Sequence, residues 1–138
     1  MKRAVSISIG SSKRDKKVEV ELLGEMIQIE RVGTDGDMEK AAQLYKELDG
    51  KVDAFGVGGA DLGLMVDKKW YPLYSVQPMV RYVKRTPIVD GAGLKNTLEN
   101  MLAGFIDTHI GEYTKDKKCL LTASVDRWGM GKSFVDAG

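Results

Sequence analysis

Ala4-Val5-Ser6-Ile7-Ser8-Ile9-Gly10-Ser11-Ser12 alternates apolar and small polar residues and then stops on a glycine. Alternation at period two marks a strand with one buried face, and a glycine directly after it lets backbone N–H groups approach a ligand that a Cβ would obstruct. The same grammar recurs at Val57-Gly58-Gly59, at Val89-Asp90-Gly91-Ala92-Gly93 and at Trp128-Gly129-Met130-Gly131-Lys132-Ser133. Where strands alternate with helices, the loops leaving the carboxyl ends of the strands gather along one edge of the sheet, and ligands bind there. The four loops therefore predict a ligand-binding α/β fold with a mixed, partly parallel sheet and flanking helices.

Working outward, Val18 to Leu22 and Met26 to Val32 alternate on either side of Leu23-Gly24-Glu25, which predicts an antiparallel hairpin. Thr34-Asp35-Gly36-Asp37 offers a capping signal before Met38, Ala41, Ala42, Tyr45 and Leu48, whose spacing is helical, and Gly50 ends that helix. Val52 to Val57 reads as a short strand, and Leu62 to Val66 with Trp70 to Leu73 as a second hairpin about Asp67-Lys68-Lys69. Val76, Met79, Val80 and Val83 mark a short helix that must stop before Thr86-Pro87, after which Ile88-Val89 forms a brief strand. Leu94 to Ile106 has helical spacing over about three to four turns, ending near Gly111. Cys119 to Ala123 predicts a strand, and a helix from about Lys132 closes at Ala137-Gly138.

The lysine-rich segment Glu112 to Lys117 is the best internal boundary. The expected organisation is a substrate-domain-like α/β domain over residues 1–113, followed over 114–138 by the first βα unit of a Rossmann-like cofactor domain. Because a glycine closing such a helix precedes a returning parallel strand, the sequence reads as the N-terminal part of a longer protein.

Composition narrows the function classes. Twenty-one basic against 20 acidic residues leave a formal charge of +1, too little to drive counterion release from nucleic acid. No apolar stretch approaches the roughly 20 residues of a spanning helix, so no membrane role is expected. Met1-Lys2-Arg3-Ala4-Val5 passes into alternation rather than the continuous apolar core of a secretory signal, which points to the cytoplasm. Cys119, the one cysteine, sits in an apolar run and is expected to be a buried, inert thiol. His109 has no second histidine or cysteine at ligand spacing, so no metal site is expected.

Each glycine loop has a functional and a plain reading. Asp90-Gly91-Ala92-Gly93-Leu94-Lys95 sets a carboxylate that accepts hydroxyl hydrogen bonds beside a lysine that can donate and share a proton; it is equally a strand-to-helix turn capped by Asp90. Gly10-Ser11-Ser12-Lys13-Arg14 sets hydroxyls, backbone donors and two cations where a carboxylate or phosphate could bind, or is a solvated turn. Gly58-Gly59-Ala60-Asp61 is a ligand loop or a tight connection. Asp126 to Ser133 ends Gly-Lys-Ser like a triphosphate-binding loop, but Asp126 stands at that loop's first glycine with the wrong charge for phosphate.

Two of these stretches carry a family likeness. Val89-Asp90-Gly91-Ala92-Gly93-Leu94 resembles the T-D-G-x-G-F stretch of shikimate and quinate dehydrogenases, and Lys118 to Gly138 is similar to that family's first cofactor-domain βα unit. More broadly, the chain is similar to the N-terminal part of bacterial quinate 5-dehydrogenase-like proteins around residues 10–14, 33–37, 50–56 and 86–91. The resemblance implies NAD(P)-dependent oxidation of a ring hydroxyl of a small carboxylic acid. Asp90 matches the catalytic aspartate. Ser11, Ser12 and Lys13, with Asp61, would hold the anionic substrate, and Ser124, Gly129, Gly131 and Lys132 would face the pyrophosphate of NAD or NADP. Lys95 is assigned as Asp90's partner from chemistry, since the family's V-T-x-P-x-K segment has no counterpart here. Ser11-Ser12 lacks the proline and histidine that follow the family's S-x-S motif, and Ser124 to Gly131 replaces its G-A-G-G-A turn. The competing reading is a noncatalytic small-anion or nucleotide-binding domain. A third is an assembly module that pairs with another copy of itself as a homodimer.

Overall fold

The computed structural model describes residues 1–111, 113–114 and 116–138. In chain order the elements are β1 (Lys2–Ser8), β2 (Lys16–Leu22), β3 (Glu25–Gly33), α1 (Met38–Leu48), β4 (Ala54–Gly58), β5 (Gly63–Val66), β6 (Lys69–Pro72), α2 (Gln77–Val80), β7 (Ile88–Val89), α3 (Ala92–Asn96), α4 (Leu102–His109) and α5 (Trp128–Asp136). They form two compact units, one of residues 1–62 and 73–90, the other of residues 63–72 and 91–138. The boundary expected near residue 113 therefore falls inside the second unit, and Glu112 and Lys115 of the expected linker lie outside the described residues.

The first unit holds a five-stranded sheet in the order β2-β3-β1-β4-β7. β3, β1, β4 and β7 are parallel, and β2 joins antiparallel to β3. The hairpin turn needs only Leu23 and Gly24, both at positive φ (53° and 78°), the backbone of the tight turns that match strand twist. Alternation along β1 and β4 sends Val5, Ile7, Phe55 and Val57 to one face, where Ala41, Tyr45 and Met79 from α1 and α2 close the core. α1 begins where expected, with the Asp37 carboxylate accepting from the Lys40 N–H at 2.8 Å, and ends as Gly50 turns to φ 78°.

Tyr45 locks helix to sheet. Its ring meets Phe55 edge-on with centroids 5.0 Å apart. Its hydroxyl points at the carbonyls of Ile7 (3.2 Å) and Gly56 (2.9 Å), so the phenol is satisfied although fully buried. Burial pushes its ionisation well above the ordinary tyrosine value.

The second unit departs from expectation in four ways. The long helix expected over Leu94 to Ile106 is three pieces: α3, a 3-10 turn at Leu98–Met101, and α4. The break is at Thr97, whose hydroxyl donates to the Gly93 carbonyl (2.6 Å), while Asn100 Nδ2 donates to the Asn96 carbonyl (2.6 Å); side chains here compete with the backbone ladder. Residues 119–123 form no strand, because no neighbouring strand is there to take their backbone groups. Cys119 is accordingly exposed, not buried, and Leu120 is 87% exposed. Finally, the last helix starts at Trp128 rather than Lys132, which puts Gly129 and Gly131 inside it.

What this unit has instead is a hairpin, β5–β6, and helices. Trp70 lays its ring against Gly63, where a Cβ would come within 2.3 Å of it. α5 packs on the 98–101 turn and α4, and Arg127 Nη1 pairs with the Glu99 carboxylate. Among the described residues no helix is long and apolar enough to cross a membrane, and no group of His, Cys, Asp and Glu is placed to hold a metal ion.

Tyr45→Ala should cost about 3–5 kcal/mol, the range for a large aromatic lost from a core. Tyr45→Phe should cost about 1–2 kcal/mol, since it removes only the hydroxyl. Urea unfolding checks both: the midpoint should fall in that order with little change in slope.

Candidate functional site

From β1 the chain turns toward β2 and β3, whereas from β4 it leaves toward β7, so the connections part in opposite directions between these two neighbouring strands. Such a switch point opens a crevice at the carboxyl ends of the strands. Its walls are Ser8 to Ser12 and Gly58 to Asp61, with Thr34 to Gly36 beside the first and Asp90 beyond the second.

Most of the backbone at this edge is already engaged. Ile9 N–H donates to the Gly58 carbonyl (3.1 Å), Thr34 N–H to Ser8 (2.8 Å), Asp35 N–H to Gly10 (3.1 Å) and Gly36 N–H to Ile9 (2.7 Å). The glycines permit this closeness. A Cβ on Gly58 would come within 2.6 Å of Ser8 Cβ, and one on Gly33 within 2.6 Å of the Ser11 backbone. These two are glycine because strand meets loop there.

The serine loop is held from inside. Asp35 accepts the Ser12 N–H at 2.7 Å, and its bonds with Ser12 and Ser11 hold its carboxyl below the ordinary carboxylate range. Ser11 Oγ accepts from the Lys13 N–H at 3.3 Å, turning the chain through the short 3-10 turn Ser12–Arg14. A carboxylate of the chain's own thus takes the position that Ser11 and Ser12 were expected to give to substrate.

Two guanidinium groups converge on the same loop. Arg31 Nη2 donates to Ser8 Oγ (3.0 Å), and its Nη1 donates to the Ser11 carbonyl (2.9 Å) and to Asp15 Oδ1 (2.8 Å). Asp15 Oδ1 also accepts the Gly33 N–H at 2.6 Å. Arg14 Nη2 comes as close: the position of a Cβ on Gly10 is 3.2 Å from it, from Arg31 Nη2 and from Ser8 Oγ alike. Lys13 and Arg14 are exposed. Around Gly10, Arg14 and Arg31 thus converge, with Asp15 bonded to Arg31 and Asp35 to the serine loop. Arg31, Asp15 and Asp35 were not expected here. The one signal for Arg31 is its alternation with Ile27 and Ile29, which puts a charge on an otherwise apolar face.

The remaining expected residues divide between the units. Asp61 is half-buried in the β4 exit loop, and Asp90, at the end of β7, accepts the Leu62 N–H on Oδ2 at 2.7 Å, tying two exits together. Lys95 belongs to the second unit, where its Nζ stands 3.5 Å from Asp126 Oδ2. Ser124, Gly131 and Lys132 line one cavity of about 380 Å³ with Trp128, and Gly129 and Lys132 line another of about 360 Å³ with Asn96 and Asn100.

Neither glycine presents an open backbone to a phosphate. A Cβ on Gly129 would lie 1.2 Å from Asn100 Oδ1, so Asn100 fills that space, and the Gly131 N–H already donates to the Arg127 carbonyl at 3.0 Å. Lys132 Nζ is held by Asp136, one helical turn on, at 2.6 Å and 2.9 Å. The residues present do not fit a dinucleotide pyrophosphate.

Gly58→Ala should destabilise the fold by about 1–3 kcal/mol, since the added methyl must push β1 and β4 apart; a circular-dichroism melt reads it. Asp35 has a folded pKa below its unfolded value of 3.8, so its contribution is complete above that value and is lost as pH falls through the lower, folded one. Urea midpoints should therefore drop less for Asp35→Asn than for the parent chain between about pH 6 and about pH 2.

No curated protein and no solved structure matches this chain. A family model described as a domain of unknown function (DUF8753) matches residues 3–90, from the start of β1 to the carboxylate after β7, and the chain belongs to that family.

Proposed function

We propose that the chain binds a small anionic molecule at the carboxyl edge of its parallel sheet, against Arg14 and Lys13 at the mouth of the β1/β4 crevice. The observation that carries this reading is the convergence of the Arg14 and Arg31 guanidiniums on Gly10, where no Cβ stands between them and Ser8 Oγ. Arg31 is held by Asp15, Ser8 and Ser11, so it supplies fixed positive potential. Arg14 is exposed and carries the planar fork that suits carboxylate and phosphate oxygens. The loop amides do not serve the ligand, since Asp35 holds the Ser12 N–H. Recognition rests on side-chain cations.

A dehydrogenase of the shikimate and quinate type is a second reading of the same edge. Asp90 at the β7 exit favours it, as a carboxylate suited to a ring hydroxyl. The engaged first turn of α5 weighs against NAD or NADP.

Thermal shift with inorganic phosphate, shikimate, quinate, NAD and NADP tests both readings, because a ligand that binds only the native state raises its apparent stability. The anion reading expects a shift with phosphate or the carboxylic acids that Arg14→Ala weakens by about tenfold in Kd and Lys132→Ala leaves intact. No shift with any anion overturns it. A shift confined to NAD or NADP and abolished by Lys132→Ala favours the second reading.

A further inference from the structure

The sheet of the first unit ends on β2, and among the described residues no strand pairs with its outer side. All seven residues from Lys16 to Leu22 are exposed. Such an edge offers a row of backbone donors and acceptors to any strand that fits it, and proteins blunt it with proline, bulges or charged side chains. β2 has no proline or bulge, and the charges it carries are of both signs. Its charges are sorted along the strand: Lys16 and Lys17 come first, Glu19 and Glu21 last, alternating with Val18, Val20 and Leu22.

Sorted charges repel a parallel copy of themselves and attract an antiparallel one. In an antiparallel pairing, directly opposite residues share a face, and the registers that keep apolar opposite apolar pair positions of the same parity. Centred on Val18, such a register sets Lys17 opposite Glu19 of the second copy; centred on Glu19, it sets Lys17 opposite Glu21 but also Glu19 opposite Glu19, so the Val18 register is the favoured one. Either way two lysine–glutamate pairs form about a two-fold axis. On the other face Val18 meets Val18 or Val20, extending a patch that already includes Ile29, the cross-strand neighbour of Val18. Val18, Val20 and Ile29 are 37%, 39% and 42% exposed, so each has apolar surface left to bury.

We infer that β2 is the docking edge for a second copy of this chain, the two strands running antiparallel so that the five-stranded sheets become continuous. The contact is isologous and closes on itself, as two-fold contacts do, and it uses a strand remote from the β4 and β7 exits.

Sedimentation velocity of the full chain across a wide concentration range is the test, with hydrogen exchange to locate the contact. A dimer is expected, with Val18 to Glu21 amides gaining protection as concentration rises. Lys17→Glu, which sets carboxylate against carboxylate in either register, should raise the dimer Kd by about tenfold or more. Adding Glu19→Lys and Glu21→Lys to that variant reverses the charges on the lysine–glutamate face and should restore the dimer. A monomer at all concentrations, a dimer indifferent to Lys17→Glu, or a folded charge-swapped variant that stays monomeric each overturns the inference. If Lys17→Glu fails to fold, the concentration dependence of β2 amide exchange in the parent chain decides alone.

Discussion

The contact of Gly58 against Ser8, with no Cβ between them, is the constraint on which the ligand edge depends. It brings the carboxyl ends of β1 and β4 close enough for Ile9 to bond the Gly58 carbonyl, and the matching contact of Gly33 with Ser11 closes the other side of β1. With both in place, the loops after three parallel strands interlock through backbone hydrogen bonds. The same closeness removes those N–H groups from use by a ligand, which leaves side chains as the available chemistry at the crevice mouth. Tyr45 holds the arrangement from beneath, since its hydroxyl reaches carbonyls of both β1 and β4.

The first unit was legible because its signals are local and mutually consistent. Period-two alternation in residues 4–9 and 18–32, the Asp37 cap and the Gly50 stop each needed only neighbours in sequence, and the strands and helix formed where those signals set them. The second unit was less legible for a matching reason. Leu94 to Ile106 carries a helical apolar pattern, yet Thr97 and Asn100 bond backbone carbonyls one turn back and the helix divides. Residues 119–123 are apolar enough for a strand, but a strand exists only where a neighbour takes its hydrogen bonds, and no pattern within those residues reports a neighbour.

At the candidate site, which residues gather was easier to read than what they do. Ser11, Ser12, Lys13, Asp61 and Asp90 do stand at strand exits, as the glycine grammar required. The meaning of each glycine was not readable, because a missing Cβ serves a ligand and a packed neighbour equally. At Gly129 the neighbour is Asn100; at Gly58 it is Ser8. Arg31 was passed over because, although it shares the face of Ile27 and Ile29, nothing in its own strand names the partners of its charge. Its three bonds to Ser8, Ser11 and Asp15 arise only after β3 pairs with β1.

Internal carboxylates recur wherever a ligand's own would be expected. Asp35 holds the Ser12 amide, Asp126 faces Lys95, and Asp136 holds Lys132. A tethered carboxylate competes as though present at about millimolar concentration or above, so a free anion displaces it only by offering better geometry or more contacts. Asp35 is the hardest to displace, because it accepts from a backbone N–H that cannot turn away, and its bonds to Ser12 lower its pKa. Lys132 and Asp136, both exposed on one helix, are the easiest, for such pairs are worth only about 0.3–0.5 kcal/mol. The serine loop is the most firmly closed, and Arg14 is left exposed there with its guanidinium near that of Arg31.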